Sequence, residues 1–242
     1  MVDPVAVRLP GDGVELEGLL FEPAVPSDVW IVFIPGWGDG ASALVVPSEE
    51  IARRGSNVLS VSLRGFGGSD GDDDDCGLRQ TDDLLAVLEW VHARAIDAVV
   101  GLLGISQGGQ VALLAAARRP GAVDAVAAWS AVTDIETWRE GTAFDLIRAY
   151  LDIHCADGRV DERSPRAQVD HLAGPVLLVH GDEDVRVPTE QSISLHRALT
   201  GLGRTCELEL LPGVGHQRGR DGNQRALDRT LTFFDRHLCR PS

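Results

Sequence analysis

Gly104-Ile105-Ser106-Gln107-Gly108-Gly109 is the stretch of this chain best suited to nucleophilic chemistry. An apolar run, Val99 to Leu103, precedes it, and a helical run, Gln110 to Arg118, follows. A serine on a tight strand-to-helix turn needs a strained backbone, so side chains beside it would collide. Glycine removes that obstacle, and Gly104 and Gly108 fill the two places. The turn presents the Ser106 hydroxyl above the sheet edge. It also aims the first backbone N–H groups of the helix, that of Gln107 foremost, at an oxyanion forming beside the serine.

A serine hydroxyl is a poor nucleophile at neutral pH, so it needs a base, and the base needs an orienting carboxylate. Both belong in loops at the carboxyl ends of strands, where side chains converge. Two later stretches qualify. His180-Gly181-Asp182-Glu183-Asp184-Val185-Arg186-Val187-Pro188 leaves one apolar strand, and Pro212-Gly213-Val214-Gly215-His216 leaves the last. Asp184 follows Ser106 by 78 residues and His216 follows Asp184 by 32, giving the order serine, acid, histidine. Asp182 is a rival acid, and Asp134, after the preceding strand, is a remoter one. His180 ends a buried strand, which suits packing or hydrogen bonding better than proton transfer. His92, His154, His171, His196 and His237 sit in no supporting motif.

These loops need a sheet to hold them. Val5 to Leu9 and Glu15 to Phe21 read as two strands around Pro10-Gly11-Asp12-Gly13. Val29 to Ile34 is an unbroken apolar run of strand length, as a strand covered on both faces requires. It ends in the glycine-rich loop Pro35 to Gly40. A helix is expected from Pro47, with Ser48 as cap and Gly55 as stop. Asn57 to Leu63 is the next strand, Leu78 to Arg94 carries a helical stripe, and Val123 to Trp129 is another strand. From Asp134 to Leu172 strand alternation is lost, which leaves room for a small lid. Pro175 to His180 and Cys206 to Leu211 are strands, Glu190 to Leu199 is helical, and Gln224 to Leu238 closes the chain as a helix. Strands alternating with helices imply an α/β fold with a mainly parallel sheet.

With these pieces in order, the sequence resembles the α/β-hydrolase superfamily from about Val14 to Leu238. Within it the likeness is to the hydrolase domain of the prolyl-oligopeptidase family and to small dienelactone-hydrolase-like esterases. The residues that carry it are Gly104 to Gly109, Arg163-Ser164-Pro165, the H-G-x-x-D-x-x-V-P segment His180 to Pro188, and Gly215-His216. The resemblance implies a mainly parallel sheet of about eight strands with helices on both faces, and it makes Asp184 the triad acid and Asp182 a loop-shaping residue. It also implies that the Trp37 N–H joins that of Gln107 in the oxyanion hole, although Pro35 stands where relatives commonly have histidine. Arg64-Gly65-Phe66-Gly67 resembles a segment that ties loops together in such hydrolases.

The expected function is a single-domain serine hydrolase, residues 1–242, cleaving a small-to-medium carboxylic ester through an acyl-enzyme. No propeller segment precedes the domain in this sequence, which favours a free-standing esterase. An aminopeptidase or acyl-peptide hydrolase with the same residues is the alternative, and a non-catalytic ligand-binding protein of the same fold ranks behind both. Bulk properties agree. A net charge of −15 argues against nucleic acid or an anionic membrane as partner. No apolar run is long enough for a membrane span. The start Met1-Val2-Asp3-Pro4 lacks signal-peptide features, so a cytoplasmic location is expected. Four scattered cysteines have neither metal-ligand spacing nor the density of a disulfide scaffold, and nothing demands a cofactor. All 22 basic residues are arginine, a bias that fits either a GC-rich genome or a high-salt surface. The acidic run Asp72 to Asp75 reads as a solvated loop, with the cavity mouth as the sharper alternative.

Overall fold

A computed structural model describes residues 3–72 and 75–238; Asp73 and Asp74 of the acidic run, and Cys239, lie outside them. Eight strands form one sheet, β1 (Val5–Pro10), β2 (Glu15–Phe21), β3 (Val29–Ile34), β4 (Asn57–Val61), β5 (Val99–Ile105), β6 (Ala125–Trp129), β7 (Val176–Gly181) and β8 (Cys206–Leu211). Their order across the sheet is β1-β2-β4-β3-β5-β6-β7-β8. β2 is antiparallel to both its neighbours, and all other pairs are parallel. The helices are α1 (Val45–Arg53), α2 (Leu78–Arg94), α3 (Gln107–Arg118), α4 (Ile135–Gly141), α5 (Asp145–His154), α6 (Val160–Arg163), α7 (Glu190–Gly201) and α8 (Gly219–His237).

The uninterrupted apolar runs follow from burial on both faces. Along β3, Val32 and Ile34 pack into one core with Leu84, Leu88 and Val111 from α2 and α3. Ile31 and Phe33 point the other way, into a second core with Ile51 of α1 and Phe234 of α8. A period of two with helices on each face makes every strand position apolar. The consequence for function is directional. β5, β6, β7 and β8 are adjacent and parallel, so the loops leaving their carboxyl ends open on one side of the sheet.

Some boundaries differ from expectation. Ser48 is no cap: it lies inside α1, fully buried, and its hydroxyl pairs with Ser60 Oγ of β4 at 2.8 Å. Gly55 does stop that helix, at φ +103°. α3 starts at Gln107 and α8 at Gly219, both earlier than their apolar periodicity suggests. Arg64 clamps Asp83 through Nε at 2.6 Å and Nη2 at 2.5 Å, with its Nη2 also reaching the Asp12 carbonyl. That buried pair fastens the loop after β4 to α2. Arg163, also buried, binds Asp157 and the Asp75 carbonyl, while its own carbonyl accepts from Gln110 of α3. Both arginines hold structure.

Candidate active site

Ser106 sits between β5 and α3 with φ +54° and ψ −116°. A non-glycine residue held there is strained, and the surrounding packing shows what enforces it. A Cβ at Gly104 would run into the backbone of Gly108, and one at Gly108 into the carbonyls of Pro35 and Ile34. At Gly109 it would meet the Ala131 methyl at 2.7 Å. The glycines therefore let α3 press against β5 and against the loop after β3. The Ser106 N–H is satisfied by the Trp129 carbonyl at 2.8 Å.

Asp184 and His216 are brought together from the loops after β7 and β8. His216 Nδ1 lies 2.7 Å from Asp184 Oδ2. Asp184 Oδ1 accepts the backbone N–H groups of Arg186 at 3.0 Å and Val187 at 2.9 Å. Burial works to raise the Asp184 pKa, but hydrogen bonds from His180, His216 and the Val187 N–H overcome it and hold the carboxyl well below the usual carboxylate range. An ionised carboxylate only accepts, so Nδ1 of His216 carries the proton and Nε2 is left to accept one. His216 and Ser106 line the same cavity, of about 810 Å³, together with Trp37 and Gln107.

The rival residues are occupied elsewhere. Asp182 Oδ1 accepts from the Gly213 N–H at 2.7 Å, joining the two loops. Asp134 caps α4, accepting from the Thr137 N–H at 2.9 Å. His180 is fully buried, with Nδ1 2.7 Å from Ser192 Oγ and Nε2 2.8 Å from the Val187 carbonyl. That Nε2 also lies 3.3 Å from Asp184 Oδ2, a support that sequence did not reveal. Of the described residues of the acidic loop, Asp70 pairs with Arg8, Asp75 accepts from the Arg79 N–H, and neither they nor Asp72 line the cavity, although Cys76 beside Asp75 does.

Other cavity residues carried no signal in the sequence. Trp138 of α4 and Ile147 and Tyr150 of α5 wall it from the 134–172 segment, and Tyr150 meets the half-exposed Trp37 ring edge-on at 6.1 Å. Arg218, two residues after His216, also lines it. Among the described residues no group of histidine, cysteine and carboxylate side chains could hold a metal ion, and no helix is long and apolar enough to cross a membrane.

Eight strands in this order, mainly parallel, with a strained serine after β5, define an α/β-hydrolase fold. The sequence model of the prolyl oligopeptidase family matches residues 50–240, and the chain belongs to that family; it is a serine hydrolase. It is 30% identical over 206 residues to the uncharacterized peptidase YtmA of Bacillus subtilis (strain 168), covering 81% of this chain and 79% of that protein. A puromycin-hydrolyzing peptidase of Mycobacterium tuberculosis superposes with TM-score 0.86 at 25% identity, over 97% of this chain but 39% of that one. Est1E of Butyrivibrio proteoclasticus, with ferulic acid bound, superposes with TM-score 0.78 at 22% identity, over 97% of this chain and 100% of that one.

Proposed function

We propose that this chain cleaves small-to-medium carboxylic esters with Ser106 as nucleophile, His216 as general base and acid, and Asp184 as the orienting carboxylate. The observation that carries the reading is the 2.7 Å bond from His216 Nδ1 to Asp184, at a cavity that Ser106 also lines. In this mechanism His216 Nε2 takes the Ser106 proton as Oγ attacks the carbonyl, then gives it to the leaving alcohol. The backbone N–H groups of Gln107 and Trp37 hold the developing oxyanion. Water, activated by the same imidazole, releases the acyl group. Asp184 stabilises the imidazolium and fixes its tautomer.

In this reading residues 1–242 are one hydrolase domain with 134–172 as its lid. The match to the whole length of Est1E supports a one-domain fold on this scale. The names of YtmA and of the mycobacterial relative favour a second reading, amide cleavage in a peptide-like substrate by the same residues. Parallel rates on p-nitrophenyl esters and aminoacyl p-nitroanilides separate the two. Labelling by a fluorophosphonate, lost in Ser106→Ala, tests the nucleophile; equal labelling of that variant refutes it.

A further inference from the structure

Arg64 and Arg163 are buried and Arg218 is half-buried at the cavity wall, yet only the first two meet a carboxylate. Arg64 has Asp83 and Arg163 has Asp157. Arg218 has neutral partners: Nε donates to Asn223 Oδ1 at 3.0 Å and Nη1 to Ser130 Oγ at 3.1 Å. Among the described residues no carboxylate oxygen lies within 4.0 Å of its guanidinium nitrogens. Burial pulls its pKa down to about 10, with Asp184 opposing the shift only from a distance, so the group stays charged at neutral pH without a counter-ion.

The scaffold around this cation is rigid. The guanidinium carbon lies 5.3 Å from the centroid of the Trp129 ring, and Trp129 is itself pinned by a 2.8 Å bond from Nε1 to Thr230 of α8. Ser130, fully buried, is held at φ +47° immediately after β6, and its N–H is bound to the Val179 carbonyl. A strained serine and a stacked indole thus fix an unpaired guanidinium on the wall of the cavity that holds Ser106 and His216. The described charged lining of that cavity is Arg186, Arg218 and Arg220 against Asp39 and Glu50, a positive balance in a chain of net charge −15.

We infer that Arg218 is a recognition site for a carboxylate carried by the substrate, so that the enzyme prefers anionic esters or amides over neutral ones of the same shape. The inference rests on the serine-hydrolase reading of the cavity. A guanidinium offers a planar donor fork that matches a carboxylate, and here the half-buried group is already held in place against Trp129 and Ser130 before a ligand arrives. The overall negative charge of the chain suggests the opposite preference, which makes the selectivity a sharp test.

The assay uses two matched pairs: 4-butanoyloxybenzoate with its methyl ester, and monophenyl adipate with its methyl ester. Each kcat/KM is divided by the hydroxide-catalysed rate of the same ester. The wild-type protein is expected to favour the anionic member of at least one pair by about 10- to 100-fold, the range of a charge-assisted hydrogen bond. Arg218→Gln should collapse that ratio, Arg218→Lys should restore part of it, and Arg220→Gln should keep it. Neutral members preferred in both pairs by the wild type overturn the inference, whether or not any variant folds. So does a ratio unmoved by Arg218→Gln, the result if Arg218 only supports Asp184, or a ratio lost equally in Arg220→Gln. Calorimetric binding of adipate to wild type and not to Arg218→Gln gives a readout independent of turnover, and equal binding counts against the site. Absence of both fluorophosphonate labelling and hydrolysis of all four esters would instead remove the serine-hydrolase reading itself.

Discussion

Replacing Asp184 by asparagine should inactivate the enzyme while leaving it folded, and the structure says why the amide cannot adapt. Oδ1 of Asp184 accepts two backbone N–H groups, from Arg186 and Val187, and Oδ2 faces His216 Nδ1. An asparagine has one acceptor and one donor end. With its oxygen toward the backbone both N–H groups stay satisfied. Turned round, its NH2 would face two donors, each costing about 1–3 kcal/mol when left unpaired. The backbone therefore holds the oxygen in place and points the NH2 at His216. The imidazole must then accept at Nδ1, which moves its proton to Nε2 and leaves nothing to take the proton of Ser106.

Loss of the correct tautomer should lower kcat by about 10⁴-fold, equivalent to about 5.4 kcal/mol of barrier. The stability loss should be far smaller, about 1–3 kcal/mol, from one ionic hydrogen bond and the His180 Nε2 donor 3.3 Å from the new NH2. Kinetics on p-nitrophenyl butyrate and urea unfolding measure the two quantities. Asp182→Asn is the control: its Oδ1 acceptor for Gly213 survives, so activity should fall less than about tenfold. Asp184→Asn within tenfold of wild type, or Asp182→Asn as damaging, would refute the reasoning.

The remaining predictions concern the nucleophile, the turn, the acid and the loop clamp. Ser106→Ala and His216→Ala should each lose about 10⁴-fold or more in kcat, and the double variant should lose little beyond either; additive losses in ester kinetics argue against a working unit. Gly108→Ala should destabilise by about 1–3 kcal/mol or more in urea unfolding, because its methyl meets the carbonyls of Ile34 and Pro35; unchanged stability contradicts that packing. Asp184 has a depressed folded-state pKa, so its contribution to stability is full above the unfolded value of about 3.9 and is lost as pH falls below it. Wild type should accordingly lose its stability advantage over Asp184→Asn between pH 5 and lower pH, and a constant difference in unfolding free energy opposes the assignment. Asp83→Ala leaves Arg64 buried without its partner and should cost about 3–5 kcal/mol by the same denaturation assay, with a near-zero cost showing that the clamp is dispensable.

The strands and the chemical loops were legible because their requirements are local. Val29 to Ile34 had to be apolar throughout to face two cores, and the structure splits those residues alternately between the two. Gly104 and Gly108 were legible for a steric reason: their neighbours are backbone atoms, which no side-chain adjustment can move aside. The Ser106 turn therefore had to announce itself in glycine. Spacing alone left Asp182 and Asp184 as rival acids, and only the resemblance of His180 to Pro188 to the family segment singled out Asp184, whose Oδ1 closes a turn onto the Val187 N–H three residues later.

What stayed hidden depends on partners distant in the chain. Ser48 looked like a cap because serine caps helices, but its true partner is Ser60 across α1 and β4. α3 begins three residues early because Gly108 and Gly109, poor helix formers, are needed where the helix touches the end of β3 and the loop after β6, so packing outweighs propensity. α8 begins at Gly219 through a charged stretch that carries no apolar period. The arginines make the same point in electrostatic terms. In sequence they are interchangeable letters, and only the fold distinguishes Arg64, matched to a carboxylate 19 residues away, from Arg218, which faces the cavity beside Ser130 with no acid of its own. Arg64 and Arg163 direct their charge at carboxylates of the fold itself, whereas Arg218, hydrogen-bonded only to neutral side chains among the described residues, keeps its charge at the cavity wall, which is why the proposed carboxylate recognition is placed there.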